Sequence, residues 1–453
     1  MRASQWIGIV MVAMVAGSAG VAAGPEQQEE RRSVDGLVYD LQHPEADRRI
    51  RAARLLGQNK VHAAVPALMD AAIDRDEDVR FEIAKSLVLI HDRRALPTYV
   101  LLTRDANPAT QEKAVEGIIN TYVGDESGFI QGLENVVDFV NPFSDDYNPL
   151  MVEPFVEVDP AAVDAVSDLL LSAREELRLD AAVALGILRA RAALPAIQDA
   201  LDTEPATNVK VELIRTIYKI GDPAGGRALV ARITDPDKTV HDEAIFTAGR
   251  LRVGEAVPDL VQMLEAGVEE RRTLFGFVPI SGSDDLSRRV LEALAHIGDA
   301  RAEQVFLMSL DSQRDWSRQF AAEGLGRIGD TANLPEIARR YAEEESASAR
   351  LALSFARYRL GEAEYLRDLI DQIDGDQAHA YLLEFGPQEI PHLYPYIRTE
   401  GNDVKIRLLD VVGHRGDPSS IGIAQEMIQA GDQDVREAAN LAALRIRDRH
   451  PGA

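Results

Sequence analysis

Nine histidines and a large surplus of carboxylates are the residues that could do chemistry in this chain. The histidines stand at 43, 62, 91, 241, 296, 379, 392, 414 and 450. None lies in an HExxH pattern, and no two are four residues apart on one helical face, as a helix-borne zinc site requires. His91, His296 and His414 recur in or beside equivalent turns and read as part-exposed turn residues. Asp74-Arg75-Asp76-Glu77-Asp78 opens like a calcium loop. Val79 then stands where the sharp-turn glycine belongs, and Lys85 where the bidentate glutamate belongs. Asp235-Pro236-Asp237 and Asp432-Gln433-Asp434 occupy the same phase, so helix capping is expected of all three. Gly324-Leu325-Gly326 follows no strand, GDPAGG at 221–226 reads as a turn, and Ser283 has neither a preceding strand nor spaced partners. Phosphate-loop and nucleophile-elbow chemistry both lack a frame. No catalytic, cofactor-binding or metal residue is assigned, no cofactor is expected, and the chain is read as a non-enzyme.

Composition narrows the partners. The formal charge is −26 over 453 residues, and the basic runs HDRR and EERR are short and flanked by acids. Nucleic acid would be repelled unless a strong basic face formed, so none is expected as a partner. Apolar residues reach 46%, which marks a folded chain. Aromatics are 6% while Ala, Leu and Arg abound, which favours packed helices. The absence of cysteine excludes disulfides and thiolate metal sites. Residues 1–23 read as an export signal: Met1-Arg2, the apolar core WIGIVMVAMVAG, then small residues at Val21-Ala22-Ala23. Cleavage would place the protein in the periplasm or outside the cell. An uncleaved segment would instead tether it to a membrane. Residues 24–33 read as a polar linker and 449–453 as a tail.

The elements that would position any site are repeats. RIRAARLLGQNKVHAAVPALMDAA from Arg49, LRLDAAVALGILRARAALPAIQDAL from Leu177 and DWSRQFAAEGLGRIGDTANLPEIARRY from Asp315 each read as helix, tight turn, helix. Leu, Ile and Val recur three and four apart, and small residues mark where a neighbour packs closely. ALPAI, AVPAL, AVPDL and NLPEI put proline near the start of the second helix, where the missing N–H costs nothing. The turn after the first helix recurs at Asn59, Ile90, Val123, Leu188, Ile220, Leu251, Ile297, Ile328, Leu360, Phe385, Arg415 and Ile446. Most intervals are 30 to 33 residues; 65 and 46 are the long exceptions. Several turns continue as Gly-Asp, at 221, 298, 329 and 416, which suits a left-handed glycine ending one helix and an aspartate capping the next.

This pattern resembles the HEAT repeat family, particularly the short bacterial type seen in bilin lyase-like proteins. The matching residues are DVRFEIAKSL from Asp78, SRQFAAEGLGRIGD from Ser317 and DVREAANLAAL from Asp434. The resemblance covers about residues 34–448 and implies an all-α fold, an α–α superhelix of about twelve stacked units with two inserted loops. The 375–397 unit departs furthest from the pattern. Arrays of this kind serve mostly as scaffolds.

Two stretches interrupt the phase, at about 125–158 and 270–285. The first carries Phe139, Phe143, Tyr147 and Phe155 among Asn, Asp and Pro; the second carries Phe275 and Phe277. Aromatic anchors ringed by polar groups suit a partner-binding hot spot, and equally a cover folded back on the array. Arg272, Arg288 and Arg289 flank the second stretch and read as helix-end residues that bind locally. The expected function is a protein-binding scaffold or adaptor of the bacterial cell envelope, with another protein or peptide, one with basic segments, as partner. The alternatives are a HEAT-like lyase or enzyme-assisting protein that holds a small molecule, and a salt-adapted structural protein.

Overall fold

The computed structural model describes residues 34–123, 151–152, 156–274, 282–429 and 431–450. The chain divides into two compact units, one ending at Ala95 and one beginning at Leu96. Among the described residues the regular elements are helices, arranged as antiparallel pairs. In the first unit, Val34–Asp40 is followed by the pair Ala46–Gln58 and Val65–Ala71, then by Glu77–Ile90. In the second unit such pairs repeat, as in Glu175–Ile187 with Leu194–Thr203 and Asp315–Ile328 with Leu334–Glu343. The first helix of a pair is long; the second is short and enters through one turn of tighter helix, as at Arg191–Ala193 and Thr331–Asn333.

Each local boundary follows from its residues. Asp76, Asp237 and Asp432 accept hydrogen bonds from N–H groups two and three residues on, so the expected caps are present. Pro66, Pro195 and Pro335 stand in the first turn of their helices. Gly221, Gly298 and Gly329 adopt φ of 70°, 66° and 76°, and Lys60, His91, Arg189 and Arg252 hold the same left-handed turn without glycine. Gly416 departs from the expectation. Its φ is −65°, and glycine is needed there because a Cβ would meet the Val412 carbonyl oxygen at 2.6 Å. The aspartates after all four glycines cap as expected: Asp222, Asp299, Asp330 and Asp417 each accept an N–H two residues on.

The first helices pack on one another through small residues two positions before the turn. A methyl on Gly249 would lie 2.7 Å from Ala293 Cα, and one on Gly326 2.8 Å from Ala356 Cα. Within the first unit, Gly57 meets Ser86 in the same way. Around these contacts the core is aliphatic, with Leu56, Ile83, Leu185, Ile245 and Leu325 fully buried.

An arginine near the start of several first helices ties the repeat together. Arg318 donates to the Ser312 carbonyl six residues back and bidentately to Glu344, at 2.7 Å for both oxygens. Arg178 does the same to Ser172 and Glu204, and, within the first unit, Arg49 to His43 and Asp74. The carboxylate also accepts a backbone N–H at the next helix start: Asp76 for Asp74, Ala206 for Glu204, Ser346 for Glu344. Burial opposes ionisation of Glu344, but Arg318 and the Ser346 N–H overcome it and hold the carboxyl at about 2.

Two substitutions separate buried from exposed pairs. Arg318→Ala leaves the buried Glu344 with the Ser346 N–H and one longer contact to Arg340, at 3.3 Å, and is expected to destabilise by roughly 1.5–3 kcal/mol. Arg94→Ala removes an exposed pair with Asp92 and is expected to leave stability nearly unchanged. Urea titration followed by circular dichroism reads both; equal costs would refute the assignment.

Candidate functional site

The aromatic residues that the sequence singles out, Phe139, Phe143, Tyr147, Phe155, Phe275 and Phe277, lie outside the described residues, as does the segment read as an export signal. The structure does show where the interruptions leave and rejoin the array. Tyr122 ends the Pro108–Tyr122 helix, and its hydroxyl accepts the Asp159 N–H at 2.9 Å, so the two ends of the first interruption meet. Val152 is buried and donates its N–H to the Ile187 carbonyl at 2.9 Å. The second interruption is flanked by Val257–Leu274, far longer than other second helices, and Gly282–Ile297. Arg289 pairs with Asp285 and Asp242, and Arg288 approaches Asp285, so both bind locally as expected. The Arg272 side chain is outside the described residues.

Beside that long helix lies a groove of about 430 Å³. Leu264, Leu291, Val305, Met308 and Trp316 give it an apolar lining, with Gln304 among its polar groups. It opens between two successive second helices, Val257–Leu274 and Glu303–Ser309. First helices joined through glycine and alanine stand close, so bulkier second helices leave space between them. Trp316 is set by its own helix start: its N–H is held by Asp315 Oδ1 at 2.8 Å, and its ring lies 6.5 Å from Phe320 and 6.0 Å from the Arg314 guanidinium. Met308 is 66% exposed and lines the groove mouth beside Trp316.

The opposite, first-helix side of the second unit is polar and crowded. Arg327 donates to the Ala295 carbonyl, to Glu323 and, through two nitrogens, to Glu384. Tyr381 stacks on Phe355 at 4.4 Å and donates to Glu323 at 2.6 Å. His296 is pushed well below the ordinary histidine value by burial and by Arg250, Arg327 and Arg252. Lys219 pairs with Glu212 at 3.1 Å, both buried. Glu243 is buried with one long contact to Arg215, at 3.4 Å. Burial pushes its carboxyl up to about 8, against the pull of Arg289. Asp180 rises to about 6, by burial and by the neighbouring Glu112 and Glu176.

None of these clusters brings together a nucleophile, a base and an orienting group. Among the described residues no three His, Cys, Asp or Glu side chains gather so as to hold a metal, and no helix is long and apolar enough to cross a membrane. The groove around Trp316 is the feature that repeat counting missed. Its signal was available: Trp316 is one of only two tryptophans, placed at a helix start in a chain poor in aromatics.

Paired helices joined by capped turns and stacked through small residues define an α-solenoid. Residues 34–119 match the HEAT repeats family and residues 177–203 match the PBS lyase HEAT-like repeat, so the chain carries HEAT-type repeats and is a solenoid of that kind. Solenoids of this class are typically non-catalytic. No match is found among curated protein sequences. Among solved structures, an engineered protein is 18% identical over 91% of this chain and 98% of its own, at a TM-score of 0.39. Importin beta is 11% identical over 93% and 65%, at 0.43. The CpcE–CpcF complex of phycocyanin lyase from Nostoc is 16% identical over 76% and 99%, at 0.30.

The raised Glu243 carboxyl makes stability depend on pH. Between the ordinary value of 4.5 and about 8 the folded state keeps a proton that the unfolded chain releases, so stability falls as pH rises through that window. Glu243→Gln keeps the neutral shape. It is expected to melt with the wild type near pH 4.5 and above it at pH 8; parallel melting curves at all pH values would exclude a neutral Glu243.

Proposed function

We propose that this chain is a non-enzymatic scaffold that binds another protein in the bacterial cell envelope. The observation that carries the reading is the groove at Trp316 and Met308, an apolar surface between two packed helices. A part-exposed tryptophan beside an arginine is the kind of anchor that dominates interface energies. The six inserted aromatics, Phe139, Phe143, Tyr147, Phe155, Phe275 and Phe277, are proposed as further contacts. The acidic balance favours a partner with basic segments, steered by charge. The envelope location rests on residues 1–23 as an export signal, cleaved after Ala23; retained, the same segment would be a membrane tether.

The family comparison favours a second reading. The match of residues 177–203 to the PBS lyase HEAT-like repeat supports an enzyme-assisting protein that holds a small molecule, and a groove of about 430 Å³ has the size for one. Purification from the native source after mild crosslinking, with native mass spectrometry, separates the two. A protein partner whose affinity falls roughly 30-fold, about 2 kcal/mol, in Trp316→Ala supports the scaffold. A bound small molecule lost in the same variant supports the second reading. Partners lost only on deletion of 141–154 would move the site to the first insertion. Absence of any partner would favour a structural protein. Amino-terminal sequencing of the native protein tests the signal: a terminus at Gly24 is expected.

A further inference from the structure

Glu384 joins three distant stretches of the second unit. It accepts from Arg327 Nη2 at 2.7 Å and Nε at 3.0 Å, and from Arg252 Nη2 at 2.9 Å. Arg252 and Glu384 are 132 residues apart. Between them in the stack come the helices Gly282–Ile297, Asp315–Ile328 and Ala347–Arg359. Packed helices lie ~8–10 Å apart, so a straight stack would separate the two residues by several helix widths, beyond the reach of their side chains. The contact exists only where this part of the array is strongly curved.

The irregular 375–397 unit makes the contact possible. Its first helix, Asp376–Leu382, has only 7 residues. Tyr381 turns inward over Phe355 and reaches Glu323, 58 residues earlier, which brings Glu384 towards the turns of earlier repeats. The Arg327 end is fixed by the Ala295 carbonyl, by Glu323 and by the Phe355 ring 5.5 Å away. The Arg252 end is 56% exposed, sits in a left-handed turn with φ of 54°, and has Glu384 as its ion-pair partner among the described residues. One end is therefore anchored and the other can be released.

We propose that Glu384 is a curvature latch: its carboxylate holds the Arg252 turn to the anchored Arg327, and loss of that charge lets the stack from Lys238 to Phe385 open. Arg359, nearby, is occupied by Glu389 and does not substitute for either arginine.

The chain has no cysteine, so spin labels go only where cysteines are introduced. Arg227→Cys and Asp403→Cys place labels at exposed positions on helices either side of the latch. Pulsed dipolar spectroscopy on the full chain is expected to give a longer, broader distance distribution in Glu384→Gln than in the labelled parent, with helical circular dichroism retained. Arg252→Glu, at an exposed site, is expected to shift the distance in the same direction and answers the question if Glu384→Gln does not fold. Arg398→Glu breaks the exposed pair with Glu426 outside the latch and is expected to leave the distance unchanged. Parental distances in folded Glu384→Gln or in Arg252→Glu, or an equal shift in Arg398→Glu, would overturn the latch.

Discussion

The buried arginine–carboxylate pair near the start of a long helix is the interaction that ties one repeat to the next in this array. In Arg178 and Arg318 one planar guanidinium meets a carbonyl of its own preceding turn and both oxygens of a carboxylate 26 residues on. That carboxylate then holds the first N–H of the next repeat. Three segments that would otherwise bury unpaired polar groups are satisfied by one pair of side chains. A lysine in the same place makes a looser pair, Lys210 with Asp235 at 3.9 Å, because an ammonium cannot present parallel donors to a carboxylate and a third to a carbonyl. The clamp recurs in phase with the repeat: arginine and acid stand 26 residues apart in Arg178–Glu204 and Arg318–Glu344, and 25 apart in Arg49–Asp74. The carbonyl contact is made by other arginines at this position as well, Arg80 to Asp74 O and Arg350 to Glu344 O.

Fixing the phase decides which side of the stack is dense. Glycine or alanine two residues before the turn lets first helices touch through backbone, while second helices carry larger side chains and stand apart. Space therefore appears between second helices, and this happens in each unit separately. In the first unit a cavity lies between Val34–Asp40 and Val65–Ala71; in the second, the groove lies between Val257–Leu274 and Glu303–Ser309. On the dense side, ionisable groups cannot reach water easily. They pair, as Lys219 does with Glu212, or give up charge, as Glu243 does.

Much of this was legible in the sequence because it is local. Caps at Asp76, Asp237 and Asp432, prolines in the first turn, and close-packed glycines at 57, 186, 249 and 326 all depend on residues within one repeat or its neighbour. Gly416 was misread because the same Gly-Asp pair serves either a left-handed turn or a close backbone approach, and only the packing distinguishes them. The Arg252–Glu384 pair was not legible at all. It is set by curvature accumulated over several repeats, and Glu384 lies in the unit where the repeat signal is weakest. The Trp316 groove arises from the spacing of two helices, which no single-residue pattern records.

The clamp also bears on where the charges of the protein are placed. Lysine and arginine total 49 against 75 acids, and many arginines are occupied within the stack: Arg49, Arg178, Arg289, Arg318 and Arg327 are all largely buried in ion pairs. Each of these arginines is matched by a carboxylate, so the pairs cancel and the surplus of acids is carried by the rest of the molecule. Charge acts at a distance and apolar fit only on contact, so an acidic surface interrupted by an apolar groove offers two ranges of interaction in one face.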